Sequence, residues 1–251
     1  EPGAWTFVTM SDEYMLGGTY TGLVLYRKEK GQWVFDRKLD GLKESCRIMV
    51  KDEDQSIWIS HPYRGVYNVR WNAGNKDKID IRFFNQENGL PTNLNNYVFQ
   101  IAGKAVFATE KGVFHFDRSK DTFVPDDDFN RLLDKQHRVR YLREDAKGNV
   151  WYVTDHEAGM LIVNDFGLKK EVRKKVIPEL AGKLVGGFEF LLPIDGHNMI
   201  IGTEQGFIHY ALDEEDQSDT LLQIILSNIT ASGTSDSTLF GGFYSGCNIP
   251  S

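Results

Sequence analysis

The chain repeats one short pattern five times. An apolar run leads into a hydroxyl, a few polar residues and a glycine, and a second apolar run follows. The copies are "MLGGTYTGLVLY" (15–26), "IWISHPYRGVYNV" (57–69), "AVFATEKGVFHF" (105–116), "VWYVTDHEAGMLIV" (150–163) and "MIIGTEQGFIHY" (199–210). Their glycines are Gly22, Gly65, Gly112, Gly159 and Gly206, separated by 43, 47, 47 and 47 residues. The hydroxyls are Thr19, Ser60, Thr109, Thr154 and Thr203, three residues before the glycine in three copies and five before it in two. Each copy reads as a hairpin: a buried strand, a tight polar turn, a glycine at a backbone angle other residues resist, and an alternating strand. The five glycines are expected at equivalent places.

The flanking segments complete a unit. Upstream of the hairpins lie the strand candidates "WTFVTM", "SCRIMVKD", "NYVFQIAG", "RVRYLRED" and "FEFLLPID". Downstream lie "QWVFDRKL", "KIDIRFFN", "DTFVPDDD" and, near the end, "TLLQIILSNIT". After the fourth hairpin, "LKKEVRKKVIPEL" reads as an outer strand or a short helix, and "FNRLLDKQ" (129–136) has helical spacing. Four short strands at this period are the signature of a β-propeller blade. The expected fold is all-β, five four-stranded antiparallel blades, forming the C-terminal part of a larger, seven-bladed propeller. The blades are expected near 5–40, 44–86, 94–134, 138–180 and 187–230. Residues 231–251 read as a linker or the start of a following domain. An incomplete ring leaves strand edges open to self-association.

Composition excludes several classes. The chain has 251 residues, 41% hydrophobic and 26% charged, which is a globular balance. Its formal net charge of −7 argues against nucleic acid, which needs a positive field. No run approaches the roughly 18 apolar residues of a membrane helix. Cys46 and Cys247 carry no metal or redox spacing and read as unpaired thiols. The opening "EPGAWTFV" reads as a mature portion or an excised piece of something larger.

Several stretches resemble the two-component regulator propeller repeat. "DGLKES" (40–45) and "NGLPTN" (88–93) are similar to the opening of that repeat. "KDEDQSIWIS…GVYNV" and "REDAKGNVWYVT…GMLIV" are similar to its body of acidic turn, Trp-centred strand and glycine-led strand. The third copy, "IAGKAVFAT", lacks both the Trp and the acidic turn. The resemblance covers roughly residues 5–227. The tail at 221–244 resembles the entry to the three-tyrosine immunoglobulin-like domain that follows such propellers. "WISHPYRGVY" is most like the Bacteroidetes regulators that end in a helix-turn-helix domain, with hybrid sensor kinases as the other type. The resemblance implies a periplasmic, non-catalytic sensor module of a regulator of transcription. Such a module binds a ligand and signals through a membrane segment that lies outside this sequence.

Candidate site residues follow from the hairpin geometry. In a propeller, the turn between second and third strands and the link to the next blade share one face. That face gathers Tyr20, His61, Tyr63, Arg64, Glu110, Asp155, His156 and Glu204 from turns, and Asn93 from a link. Loops on a rigid scaffold are where binding residues concentrate. Mixed charge with aromatics suits a small polar ligand or an oligosaccharide. An alternative reading is a propeller enzyme acting on glycans, hydrolase or lyase, with Glu110, Asp155 and Glu204 as acid–base groups. A protein-binding scaffold is another. The carboxylates match no catalytic spacing, so no catalytic residue, metal ligand or cofactor is assigned. His115 and His209 occupy equivalent strand positions. "DDD" at 126–128 lacks the spacing of a calcium loop. The "KKEVRKK" run (169–175) reads as a charged strand edge that deters pairing.

Overall fold

A computed structural model of the protein describes residues 3–61, 63–71, 78–133, 137–166, 169–195, 197–211, 228–231 and 237–241. The chain divides into two compact units, Glu1–Leu212 and Asp213–Ser251. The first unit holds five antiparallel sheets in chain order. The first is β1 (Thr6–Thr9), β2 (Tyr14–Thr19), β3 (Gly22–Glu29) and β4 (Gln32–Lys38). The second is β5 (Ile48–Lys51), β6 (Ile57–His61), β7 (Gly65–Trp71) and β8 (Ile79–Phe84). The third is β9 (Tyr97–Ile101), β10 (Lys104–Thr109), β11 (Gly112–Asp117) and β12 (Thr122–Pro125). The fourth is β13 (Val139–Glu144), β14 (Val150–Thr154), β15 (Ala158–Phe166) and β16 (Lys169–Val176). The fifth is β17 (Leu191–Pro193), β18 (Asn198–Thr203) and β19 (Gly206–Ala211).

Each sheet is a simple meander. The five upstream segments supply the innermost strands, as the repeat requires. The run after the fourth hairpin is a strand, β16, on the outer edge of its sheet, and its basic residues lie along that edge. In the second unit, β20 (Asn228–Ala231) pairs with β21 (Ser237–Gly241). The expected fourth strand of the last blade, 220–230, falls outside the described residues as far as 227. Cys247 and most of 231–251 also lie outside them.

The recurring hydroxyl has a structural cause. Thr19 Oγ1 donates to the Gly22 carbonyl at 2.9 Å, Thr109 Oγ1 to Gly112 at 2.8 Å, and Thr203 Oγ1 to Gly206 at 3.1 Å. The same oxygens of Thr19 and Thr109 accept from the turn amides of Thr21 and Lys111. One side chain thus closes the turn from both sides, a local competition for backbone groups that threonine performs well. Of the two copies with the longer offset, Thr154 closes its turn in the same way, donating to the Glu157 carbonyl and accepting from the His156 amide. Ser60 differs: its Oγ accepts from Val98 N at 2.6 Å, tying the second blade to the third.

The glycines are not all equivalent. Gly22, Gly65, Gly112 and Gly206 each open a third strand with positive φ. Gly159 instead lies one residue inside β15, paired with Tyr152 and without positive φ. It is glycine for another reason: a Cβ there would come within 2.3 Å of the Lys175 carbonyl in the neighbouring strand. The uniform 47-residue spacing therefore joins two distinct steric requirements.

Acidic turns anchor two blades from below. Asp52 Oδ2 accepts from Trp58 Nε1 at 3.0 Å, and Asp145 Oδ2 accepts from Trp151 Nε1 at 3.3 Å, the same six-residue step in blades two and four. These tryptophans are among the most buried side chains. Trp58 sits among Phe84, Phe107, Phe116 and Phe123, with ring centroids 5.1–5.6 Å away.

The apolar core consists of four clusters, one at each boundary between successive sheets. Leu16, Leu23 and Leu25 meet Met49, Ile57 and Ile59; Trp58, Val66 and Phe84 meet Val98, Phe107 and Phe123. Val106, Ala108 and Val113 meet Val139, Leu142 and Tyr152; Trp151, Val153 and Met160 meet Leu191, Met199 and Ile201. Burying a large apolar side chain in this way contributes about 1.5–3 kcal/mol. Among the described residues no cluster joins the fifth sheet to the first. Their outer faces carry exposed Phe7 and Phe35 at one end and Phe190, Ile194 and Phe207 at the other. "FNRLLDKQ" enters helix α1 (Asp127–Leu133), whose first turn is capped by Asp126 Oδ1 accepting from Phe129 N.

Candidate functional site

The inner strands of all blades converge on one cavity of about 1140 Å³. Its wall is made by β1, β5, β9, β13 and the segment Gly187–Phe190 that leads into β17. A propeller places its innermost strands around a central channel, so this is the channel of the array. One mouth lies where the inner strands begin, on the side of the hairpin turns. The other lies at the acidic turns.

The channel lining is charged, and most charges are already matched. Asp52 takes Ala105 N and Arg118 besides Trp58, and Glu53 pairs with Arg118 and Lys104. Glu144 Oε2 accepts from Ala102 N at 2.8 Å. Buried Glu189 forms an ion pair with Arg140. Burial raises the pKa of Tyr141, which keeps its phenol protonated.

Arg47, Lys51 and Arg143 are the exceptions: among the described residues no carboxylate pairs with any of them, and Lys51 reaches only the Thr9 and Met10 carbonyls. Arg47 lies at the hairpin-side mouth, just before β5. Its guanidinium stands 4.3 Å from the Phe188 ring centroid and 5.7 Å from that of Trp5, and its NH2 group donates to the Gly187 carbonyl at 3.0 Å. Trp5 in turn meets Tyr20 edge-on at 4.8 Å. Trp5, Tyr20 and Phe188 are all more than 40% exposed. Residues from blades one, two and five thus form an aromatic rim with a cation at its centre.

The residues expected at the site lie on turns and links but form separate groups. His61 and Arg64 both face Glu44, at 3.5 and 2.6 Å. Burial lowers the His61 pKa; Glu44 opposes that shift and Arg64 adds to it. Tyr63 is 73% exposed, 6.2 Å from the His61 ring. Glu110 accepts from Asn95 Nδ2 at 2.8 Å, and Asn93 Oδ1 accepts from Gln86 N at 2.9 Å. Asp155 lies 4.0 Å from Arg140, and His156 packs on His137 with centroids 4.3 Å apart. The Glu204 amide donates to the Lys183 carbonyl. Tyr20 alone of the nine belongs to the aromatic rim, and none of them lines the channel. The turn-based expectation overlooked Trp5, Arg47 and Phe188. Their shared signal is position: each stands at or just before the start of an inner strand. Among the described residues no cluster of three or more His, Cys, Asp or Glu side chains is arranged to hold a metal. His115 and His209 are strand residues, bonded to Asp126 and Asn198.

Solved structures share this architecture. The extracellular domain of a hybrid two-component system from B. thetaiotaomicron matches 93% of this chain with a TM-score of 0.57 and 16% identity. The chain shares its fold with that extracellular domain. A second such domain from B. thetaiotaomicron matches 84% of the chain with a TM-score of 0.55 and 17% identity. The WD40 β-propeller domain of Doa1 matches 85% of this chain and 67% of its own length, at 0.51 and 12%. The chain spans 32% and 26% of the two B. thetaiotaomicron chains. These are the kind of protein that the repeat motifs resemble. No protein-family model and no curated protein matches the sequence. Among the described residues no helix is long and apolar enough to cross a membrane.

Proposed function

We propose that this chain is the ligand-sensing part of an extracytoplasmic propeller in a bacterial signal-transduction regulator, and that it performs no catalysis itself. The observation that carries the reading is the match over 93% of the chain to an extracellular sensor domain three times its length. The two-component propeller motifs of the sequence point the same way independently. The exposed apolar outer faces of the first and fifth sheets support a further step: the five blades are an arc that additional blades extend. Inside the array, equivalent faces are buried against a neighbouring blade. The ligand is a small polar molecule or oligosaccharide held on the hairpin side, and the output is transcriptional control.

Fractionation of cells carrying the intact regulator tests this. The propeller is expected in the periplasm, exposed to protease in spheroplasts, and a glycan panel is expected to change target-gene transcription without being cleaved. A protease-protected, cytoplasmic propeller would contradict the reading, as would release of glycan products that stops on mutating Glu110, Asp155 or Glu204.

A further inference from the structure

We propose that the hairpin-side mouth of the channel binds an acidic sugar, a pyranose ring carrying a carboxylate, with Arg47 as its anchor. This rests on the sensing reading above and adds the chemical class of the ligand and the residues that take it. The juxtaposition is specific. An arginine without a carboxylate partner among the described residues stands over a channel of about 1140 Å³, between two exposed aromatic rings.

Each feature fits one part of such a ligand. A guanidinium offers five donors in a planar fork that matches a carboxylate in two-point geometry. Only one of these donors is used by the Gly187 carbonyl. Packing between Trp5 and Phe188 fixes the plane of the fork and weakens its hydration, which lowers the cost of exchanging water for a ligand anion. The exposed faces of Trp5 and Tyr20 supply the flat apolar surface on which the C–H face of a sugar ring packs. A cation with no carboxylate partner among the described residues also favours acid over neutral sugars, because the acids of the channel are already engaged by Arg118, Lys104, Arg140 and the Ala102 amide. The neighbouring Arg140 is held by Glu189, and the other two lining cations without a carboxylate partner, Lys51 and Arg143, stand at the acidic-turn ends of β5 and β13, so Arg47 is the cation open to a ligand at the hairpin-side mouth.

Calorimetric titration of the intact protein with three probes tests the proposal: digalacturonate, the neutral disaccharide of galactose with the same linkage, and sodium sulfate. Digalacturonate is expected to bind at least about tenfold more tightly than the neutral sugar, the size of one charge-assisted contact. Arg47→Ala should remove that preference, and Arg47→Lys should recover part of it, since charge remains but the fork does not. Trp5→Ala should weaken both sugars. Arg131→Ala, on the exposed face of α1, should change nothing. Thermal melting of each variant reports folding. Equal affinity for acidic and neutral disaccharides would overturn the acid assignment while leaving the sensing reading in place. Digalacturonate binding that survives Arg47→Ala in a folded protein would overturn the location. Complete competition by sulfate at matching affinity would reduce the site to an anion site, and no binding of either sugar would overturn the proposal outright.

Discussion

The Trp58 indole donates to the Asp52 carboxylate at 3.0 Å, and through that carboxylate the second blade is tied to the third. Asp52 Oδ1 accepts from Ala105 N at 2.9 Å, and Oδ2 from Arg118 at 2.6 Å. One buried carboxylate thus fixes a tryptophan ring and, in the next sheet, a β10 amide and an arginine. Asp52→Ala leaves the buried Trp58 indole and the Ala105 amide of the next blade without an acceptor, while the half-exposed Arg118 keeps Glu53 and Asp54, so the loss is expected at about 2–4 kcal/mol. Asp145 serves Trp151 with no arginine partner, only amides of its own turn and Asn149. Asp145→Ala is expected to cost less, about 1–3 kcal/mol. Urea denaturation of the two variants gives the order, and equal losses would contradict the cross-blade role of Asp52.

Gly22 is required by space as well as by angle. Its φ is +122°, and a Cβ would fall 2.1 Å from the Leu42 carbonyl. Gly31 also has positive φ, at +84°, but nothing lies within 4 Å of the added carbon. Gly22→Ala is expected to lower stability by more than about 2 kcal/mol, and Gly31→Ala by about 1 kcal/mol. Comparable melting temperatures for the two variants would show that the link carbonyl yields.

Burial pushes the Cys46 thiol from 9.0 up to about 12, with Glu44 adding to the shift. The folded state keeps the proton that the unfolded state releases above 9.0. Stability tied to this group is therefore complete below pH 9 and declines as pH rises from 9 toward 12, by up to about 1.4 kcal/mol per unit. In a Cys247→Ser background, Cys46 should resist a thiol reagent at pH 8 until denaturant is added. Cys46→Ala should flatten the alkaline decline. Rapid labelling of the native protein would refute the burial argument.

Much of this fold was legible because its repeat has a direct physical cause. Thr19, Thr109 and Thr203 close hairpin turns with one side chain, and that function leaves a hydroxyl three residues before a glycine. Gly159 shows where spacing misleads: it keeps the interval but answers a steric demand from Lys175. The candidate site was less legible. Turn and link residues such as Glu110 and Asn93 are already engaged by Asn95 Nδ2 and Gln86 N, and neither lines the channel. Arg47 gains its meaning only from Trp5 and Phe188, which stand 42 and 141 residues away in sequence. No local pattern announces a contact of that range.

The open outer faces carry their own expectation. Phe7 and Tyr26 meet edge-on at 5.6 Å, and Tyr26 and Phe35 at 6.1 Å, an aromatic row on the outer side of the first blade. If another blade covers this row, Phe35→Lys should destabilise the intact regulator by about 2 kcal/mol or more, through burial of an unpaired charge. On an uncovered face the same change should be neutral within about 0.5 kcal/mol. Thermal unfolding of the intact protein separates the two.

An experimentally determined structure of the intact gene product tests the central claim most directly. The account predicts five consecutive blades with Gly22, Gly65, Gly112 and Gly206 at matching turns, further blades packed on Phe7 and Phe35 and on Phe190 and Phe207, and Arg47 at the channel mouth. A closed ring of five blades, with the first sheet packed directly against the fifth, would contradict it.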